Sequence, residues 1–254
     1  VYSELTYMTE IKGQIHWILL KSGQSLVAWN VVRDRAQVLI DDASSVVAFA
    51  VDPTKGYLFL ADPDTVRLRE FSVSLGDDYR SPTITMADTS KIVYRDEGIT
   101  AIAVDEDHSE LFISSLGGTT IWQYAPEILA LDETGQVTTL YEEQPTSIAA
   151  NKYGDLYLSD SKIYVGEANV QGTQTLELES DFFATADKLH YSAGNLFFVG
   201  TDMNNDQGIY MKPVEHGQSP SNIIVQVAVG LDSPRGIGTF DDYEYFTDVS
   251  GEYA

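Results

Sequence analysis

Five stretches of the chain share one hydrophobic rhythm. Each is a run of small apolar residues that stops at Asp, Asn or a polar turn. A second run follows in which aliphatic and aromatic residues crowd together. They read VVAFAVDPTKGYLFLAD (46–62), ITAIAVDEDHSELFISS (99–115), TSIAANKYGDLYLSD (146–160), ADKLHYSAGNLFFVG (186–200) and PRGIGTFDDYEYFTD (234–248). A weaker copy, LTYMTEIKGQIHWIL (5–19), opens the chain. Aligned on the second run, the copies put Ile15, Leu58, Leu111, Leu156, Leu196 and Glu244 at one position. Their spacing of roughly 40 to 53 residues is that of a four-stranded propeller unit.

Two further strands fit between successive copies. Third-strand candidates are residues 25–31, 66–73, 119–125, 162–168 and 208–214. Fourth-strand candidates are residues 36–42, 91–96, 136–143, 173–180 and 223–229. Most alternate with a period of two, which suits a half-exposed strand. Helical periodicity is absent; the nearest case, PEILALDETG (126–135), reads as a loop and turn. The first strand of each unit is predicted to face a central channel, buried on both sides. Ala48, Ala50, Ala101, Ala103, Ala149 and Ala150 suit such a crowded inner ring. The pattern predicts an all-β fold, a six-bladed β-propeller with an incomplete sixth blade, and residues 1–254 as one domain. The sixth unit has its first two strands, and only six residues follow Asp248. Residues 1–4 are too few to lend two strands of ordinary length. The expectation is that the parent chain or a partner chain supplies the missing strands, the latter by β-augmentation.

Composition narrows the partners. The formal net charge is −24, so nucleic acid and anionic membranes are poor partners and basic proteins or divalent cations better ones. With no cysteine there is no disulfide, thiolate metal site or Cys nucleophile. No apolar run approaches the ~20 residues of a membrane span. No Asn-x-Ser/Thr sequon occurs.

GYLFLAD, GDLYLSD and YEYFTD resemble the YWTD repeats of low-density-lipoprotein-receptor-type propellers. FAVDP and IAVDED resemble the strand that leads into that motif, and SPRGIGTF (233–240) its Pro-Arg-Gly phrase. The NHL and SMP-30/gluconolactonase-type propellers share much of this grammar. No copy reads YWTD, and Glu244 stands where an aliphatic residue is expected. The resemblance implies a recognition or scaffold propeller, outside the cell or in the secretory pathway, that binds a protein or other ligand through a loop face. Its lactonase-type branch implies an alternative, a hydrolase holding one divalent ion in the channel.

The candidate metal ligands follow from that alternative and from one loop. Glu10 and Asn151 end inner strands and are candidates for a channel ion; Asp52 and Asp105 hold equivalent positions. Asp202, Asn204 and Asp206 in DMNNDQG offer oxygens at alternate positions, as a Ca²⁺ loop does. Gln207 and Pro213 stand where an EF-type loop needs Gly and Glu. The competing reading for all of these is turn formation after a strand. His16, His108, His190 and His216 lack metal-ligand spacing. No Gly-x-Ser-x-Gly elbow or phosphate-cradling loop occurs, and no catalytic residue is assigned. Trp17, Trp29 and Trp122 fall within strands and are expected in the core.

Overall fold

A computed structural model describes residues 4–11, 15–30, 33–74, 82–105, 107–124, 137–141, 144–151, 153–160, 162–167, 174–175, 183–214, 223–231, 234–240 and 243–248. These contain strands and turns and no helix. Sheet 1 comprises β1 (Glu4–Ile11), β2 (Ile15–Ser22), β3 (Ser25–Asn30) and β4 (Arg35–Ile40). Sheet 2 comprises β5 (Ala48–Asp52), β6 (Tyr57–Asp62), β7 (Thr65–Ser74), β8 (Thr83–Met86) and β9 (Lys91–Arg95). Sheet 3 holds β10 (Ala101–Asp105), β11 (Glu110–Ser115), β12 (Gly118–Gln123) and β13 (Val137–Tyr141). Sheet 4 holds β14 (Ser147–Ala150), β15 (Asp155–Ser159), β16 (Ile163–Glu167) and β17 (Gln174–Thr175). Sheet 5 holds β18 (Phe183–Ser192), β19 (Asn195–Asp202), β20 (Gln207–Pro213) and β21 (Val225–Leu231). Sheet 6, among the described residues, is the pair β22 (Pro234–Phe240) and β23 (Tyr243–Asp248).

All pairings are antiparallel between chain neighbours, apart from one detour in sheet 2. The first strands β1, β5, β10, β14, β18 and β22 each pack on the next, and β22 packs on β1, so they close a ring. The sheets radiate from that ring as in a β-propeller. The inner ring is built from small residues because six strands converge there. Ala50, Ala101, Ala103 and Ala149 are buried, and Ala48 and Ala150 are nearly so.

Five of the gaps between successive sheets each hold an apolar core among the described residues. Trp17, Leu19 and Ala28 meet Phe49, Val51 and Leu58 between sheets 1 and 2. Phe59, Trp122 and Tyr124 fill the gap between sheets 2 and 3. Phe112 and Leu156 meet between sheets 3 and 4, and Tyr157 and Phe198 between sheets 4 and 5. Ile209 and Ile237 begin the last core, between sheets 5 and 6. The alternation of each second strand explains this partition: Leu58 and Leu60 face sheet 1, while Phe59 faces sheet 3. Trp17 and Trp122 lie in these cores, 2% and 1% exposed; Trp29 is half-buried and donates its indole N–H to Asp34.

Sheet 2 departs from the expected plan. β7 pairs with β9 along its first half and with β8 along its second. The expected fourth strand is β9, and β8 is an additional strand. It leans on sheet 1, where the Gln37 side-chain amide donates to the carbonyl of Ile84 and accepts from its N–H. A side chain thus completes an edge that backbone pairing leaves open. Of the expected strand 173–180, only Gln174–Thr175 is described as a strand, and residues 126–135 and His216 lie outside the described residues.

Candidate functional site

Up-and-down sheets give the ring two faces. Face I carries the turns from second to third strand and the connections between sheets. Face II carries the turns from first to second strand and from third to fourth.

On face II, three first strands end in the same device. Asp52, at the end of β5, accepts the N–H of Lys55 at 2.9 Å and pairs with its ammonium at 3.1 Å. Asp105, at the end of β10, accepts the N–H groups of Asp107 and His108 at 3.1 and 3.2 Å. Asn151, after β14, accepts the N–H groups of Tyr153 and Asp155, both at 2.9 Å, and donates to the Asp155 carboxylate at 2.7 Å. All three residues are buried, so each side chain replaces water for orphaned turn amides. Asp105 also takes a 2.8 Å bond from Nδ1 of His108. That bond, and then the carboxylate's charge, raise the His108 pKa above its usual value. Glu10 lies on β1 at the same end, opposite His16 in the hairpin; its side chain is outside the described residues. β1 and β14 are separated by two strands of the ring in either direction, so Glu10 and Asn151 are not on neighbouring strands.

Asp202, Asn204 and Asp206 sit on face I, in the turn from β19 to β20. The Asp202 carboxylate accepts the N–H groups of Asn204 and Asp206 at 2.7 and 2.9 Å and the Asn204 amide at 3.3 Å. These bonds, the Asp206 amide's first, hold its pKa below the ordinary value. The structure therefore places the two candidate ligand groups on opposite faces, with Asn151 and Asp202 each bonded within its own turn. Among the described residues, no three His, Cys, Asp or Glu side chains gather as a metal ion would need.

Both faces expose apolar side chains among the described residues: Tyr153, in the β14–β15 turn of face II, is 52% exposed, and face I carries several. Leu116, in the β11–β12 turn, is 65% exposed, and Met203, in the β19–β20 turn, is 66% exposed. Val47, before β5, is also exposed. Around them Asp41, Asp42, Asp64, Glu97, Asp160 and Asp206 are exposed, against Arg95 and Lys162. Among the described residues, the exposed acids and bases in the turns of face II include Asp34 and Asp107, with Arg33 and Arg35. Sequence reading passed over Leu116 and Met203 as parts of turns. Their signal was an apolar side chain flanked by Gly, Asn or Asp, where a turn ordinarily carries polar residues.

No family model and no curated protein matches the sequence. Solved structures do. One is a hydrazine synthase of Kuenenia stuttgartiensis, with a TM-score of 0.60 at 10% identity over 97% of this chain and 75% of that one. The WD40 repeats of RRP9 give 0.60 at 10% identity over 97% and 74%. An auxiliary nutrient binding protein of Bacteroides thetaiotaomicron gives 0.61 at 9% identity over 97% and 67%. At such identities the likeness extends to the propeller fold alone.

Proposed function

We propose that this protein is a non-enzymatic recognition propeller of the YWTD-like kind that holds a basic protein partner on face I. The observation that carries the reading is the exposure of Leu116 and Met203 at turn tips within an acidic rim. Apolar tips supply area that leaves water on binding, and unbranched Met adapts to a partner's shape. An acidic surround speeds encounter with a basic partner and selects against acidic ones. The resemblance to receptor-type repeats supports an extracellular or secretory setting, a six-blade count and completion of the sixth blade by further strands. No helix among the described residues is long and apolar enough to cross a membrane.

The test is crosslinking of the protein in its native source, with mass-spectrometric mapping of the crosslinks. Binding of the recovered partner to Leu116→Ser and Met203→Ser is then measured by surface plasmon resonance. The expected result is crosslinks on face I, about tenfold weaker binding in the double variant, and affinity that falls with added salt. Crosslinks confined to face II, or unchanged binding by the double variant, would sink the assignment of face I.

A further inference from the structure

The chain has four methionines: Met8, Met86, Met203 and Met211. The side chain of Met8 lies outside the described residues. Met86, on β8, is half-buried against the core between sheets 1 and 2. Met211, on β20, is half-buried against the core between sheets 5 and 6. Met203 stands apart from both, 66% exposed in the β19–β20 turn.

The backbone that carries Met203 is fixed by its neighbours. The Asp202 N–H donates to the carbonyl of Asp206 at 3.0 Å, and the Asn205 N–H to the carbonyl of Asp202 at 3.1 Å. The Asp202 carboxylate takes the N–H groups of Asn204 and Asp206. Each of these four bonds is made by residues other than Met203. The turn therefore holds its shape whatever the chemistry of that side chain, and presents the thioether to solvent.

An exposed thioether is a two-electron reductant. Its sulfur lone pair attacks one oxygen of a hydroperoxide, the S–O bond forms and the O–O bond breaks. With hydrogen peroxide the departing hydroxide takes the proton of the transferred OH and leaves as water. Sulfur is oxidised to the sulfoxide and the peroxide is reduced. Asp202 and Asp206 surround the sulfur with negative charge, which favours an uncharged hydroperoxide over an anionic oxidant. The product is polar, and its place decides what it does. At Met86 or Met211 it would set an S–O dipole against an apolar core. At Met203 it stays in water, so the surface changes while the fold is kept. The exposed turn is also open to a sulfoxide reductase, which reverses the step.

We infer that Met203 is a reversible oxidation site, and that its sulfoxide releases the partner held on face I. The release rests on the reading of face I given above; the oxidation site does not. A thioether gives up its water readily on contact, whereas a sulfoxide oxygen is a strong acceptor that must stay hydrated or find a donor. Leu116 is left untouched, so binding weakens rather than vanishes.

The test treats the folded protein with millimolar hydrogen peroxide and maps sulfoxide at each methionine by peptide mass spectrometry over time. Met203 is expected to oxidise at least about tenfold faster than Met86 and Met211, with the melting temperature unchanged once Met203 is fully converted. Equal rates at the three sites, or a lowered melting temperature at that point, would overturn the oxidation site. The second arm measures binding of the partner recovered by face I crosslinking, before and after treatment. The expected result is a loss of about tenfold, restored by methionine sulfoxide reductase. In Met203→Leu, whatever its own affinity, treatment is expected to change nothing. Undiminished binding by the oxidised protein, where Met203→Ser binds more weakly, would overturn the switch alone. Undiminished binding by Met203→Ser as well would overturn the place of Met203 in face I, and the switch with it.

Discussion

Tyr124 donates its phenol hydroxyl to the carboxylate of Asp52 at 2.8 Å, across 72 residues of sequence and from sheet 3 to sheet 2. Both residues are fully buried. The Lys55 ammonium that pairs with Asp52 also lies 5.1 Å from the centre of the Tyr124 ring. One carboxylate thus closes a turn, balances a charge and links two sheets. Removing the hydroxyl leaves a buried charge short of a donor. Tyr124→Phe is expected to cost about 1.5–3 kcal/mol, the range for a hydrogen bond to a charged group. Urea melts of the two proteins measure it. A loss below about 0.5 kcal/mol would mean that Lys55 alone satisfies Asp52.

On face I, the sheets are linked by hydroxyls that reach backbone carbonyls. Ser114, near the end of β11, donates to the carbonyl of Pro145 at 2.8 Å, and so does Thr100 at the same distance. Ser159, at the equivalent position of β15, donates to the carbonyl of Ala186. Each single loss, Ser114→Ala or Ser159→Ala, is expected to destabilise by about 1 kcal/mol. Ser114→Ala and Ser159→Ala use different partners and are expected to add. Ser114→Ala and Thr100→Val share one acceptor and are expected to couple by about 0.5 kcal/mol or more. A double-mutant cycle that finds the reverse pattern rules out this account of the links.

These two sets of links show what was legible in the sequence. The first and second strands could be read because burial on both sides leaves runs such as AIAVD and LFLAD, ended by turn residues. The second-strand anchors Leu58, Leu111, Leu156 and Leu196 are all 0–1% exposed, as their alignment implies. Asp52, Asp105 and Asn151 were legible as turn formers and equally as candidate ligands, because both roles need an oxygen just after a strand. Only the bonds they make distinguish the turn role. β8 was illegible: TITM is short, and the change of partner halfway along β7 leaves no mark in its alternation. Contacts between sheets, such as Gln37 with Ile84 or Tyr124 with Asp52, depend on the radial arrangement and have no local signature.

His190 gives stability a dependence on acidity. It lies in β18, next to a bulge where Lys188 has a φ of +53°, and its ring is tilted against Phe197. Burial lowers its pKa to about 4 from an unfolded value of 6.5. Above pH 6.5 the ring is neutral in both states and its contribution is fully present. As pH falls from 6.5 toward 4 only the unfolded chain takes up the proton, so stability declines; below 4 the loss levels off. The decline is below about 4 kcal/mol, and less in proportion to the water that reaches the ring. His108 acts with the opposite sign, since its raised pKa favours folding at low pH, but it is half exposed. The test compares urea melts at pH 7 and pH 5 for the protein and for His190→Phe. The variant is expected to show the shallower slope; equal slopes would assign the acid sensitivity to other groups.

Two glycines in tight turns separate backbone strain from steric clash. Gly23, between β2 and β3, has a φ of +60°, and a Cβ there would meet nothing within 4 Å. Gly56, between β5 and β6, has a φ of +71°, and a Cβ there would lie 2.5 Å from the carbonyl oxygen of Phe71. That approach is close because the Gly56 carbonyl accepts the Phe71 N–H at 2.7 Å, where β7 bends from β9 toward β8. Gly23→Ala should therefore cost only the left-handed backbone penalty, about 1–2 kcal/mol. Gly56→Ala adds a clash with backbone that cannot rotate away, and is expected to cost about 2 kcal/mol more. It should also loosen the β7–β8 arm, seen as faster amide exchange over Thr83–Met86 relative to Gly23→Ala. Equal melting points for the two variants would mean that the arm shifts to make room, and that Phe71 does not fix the bend in β7.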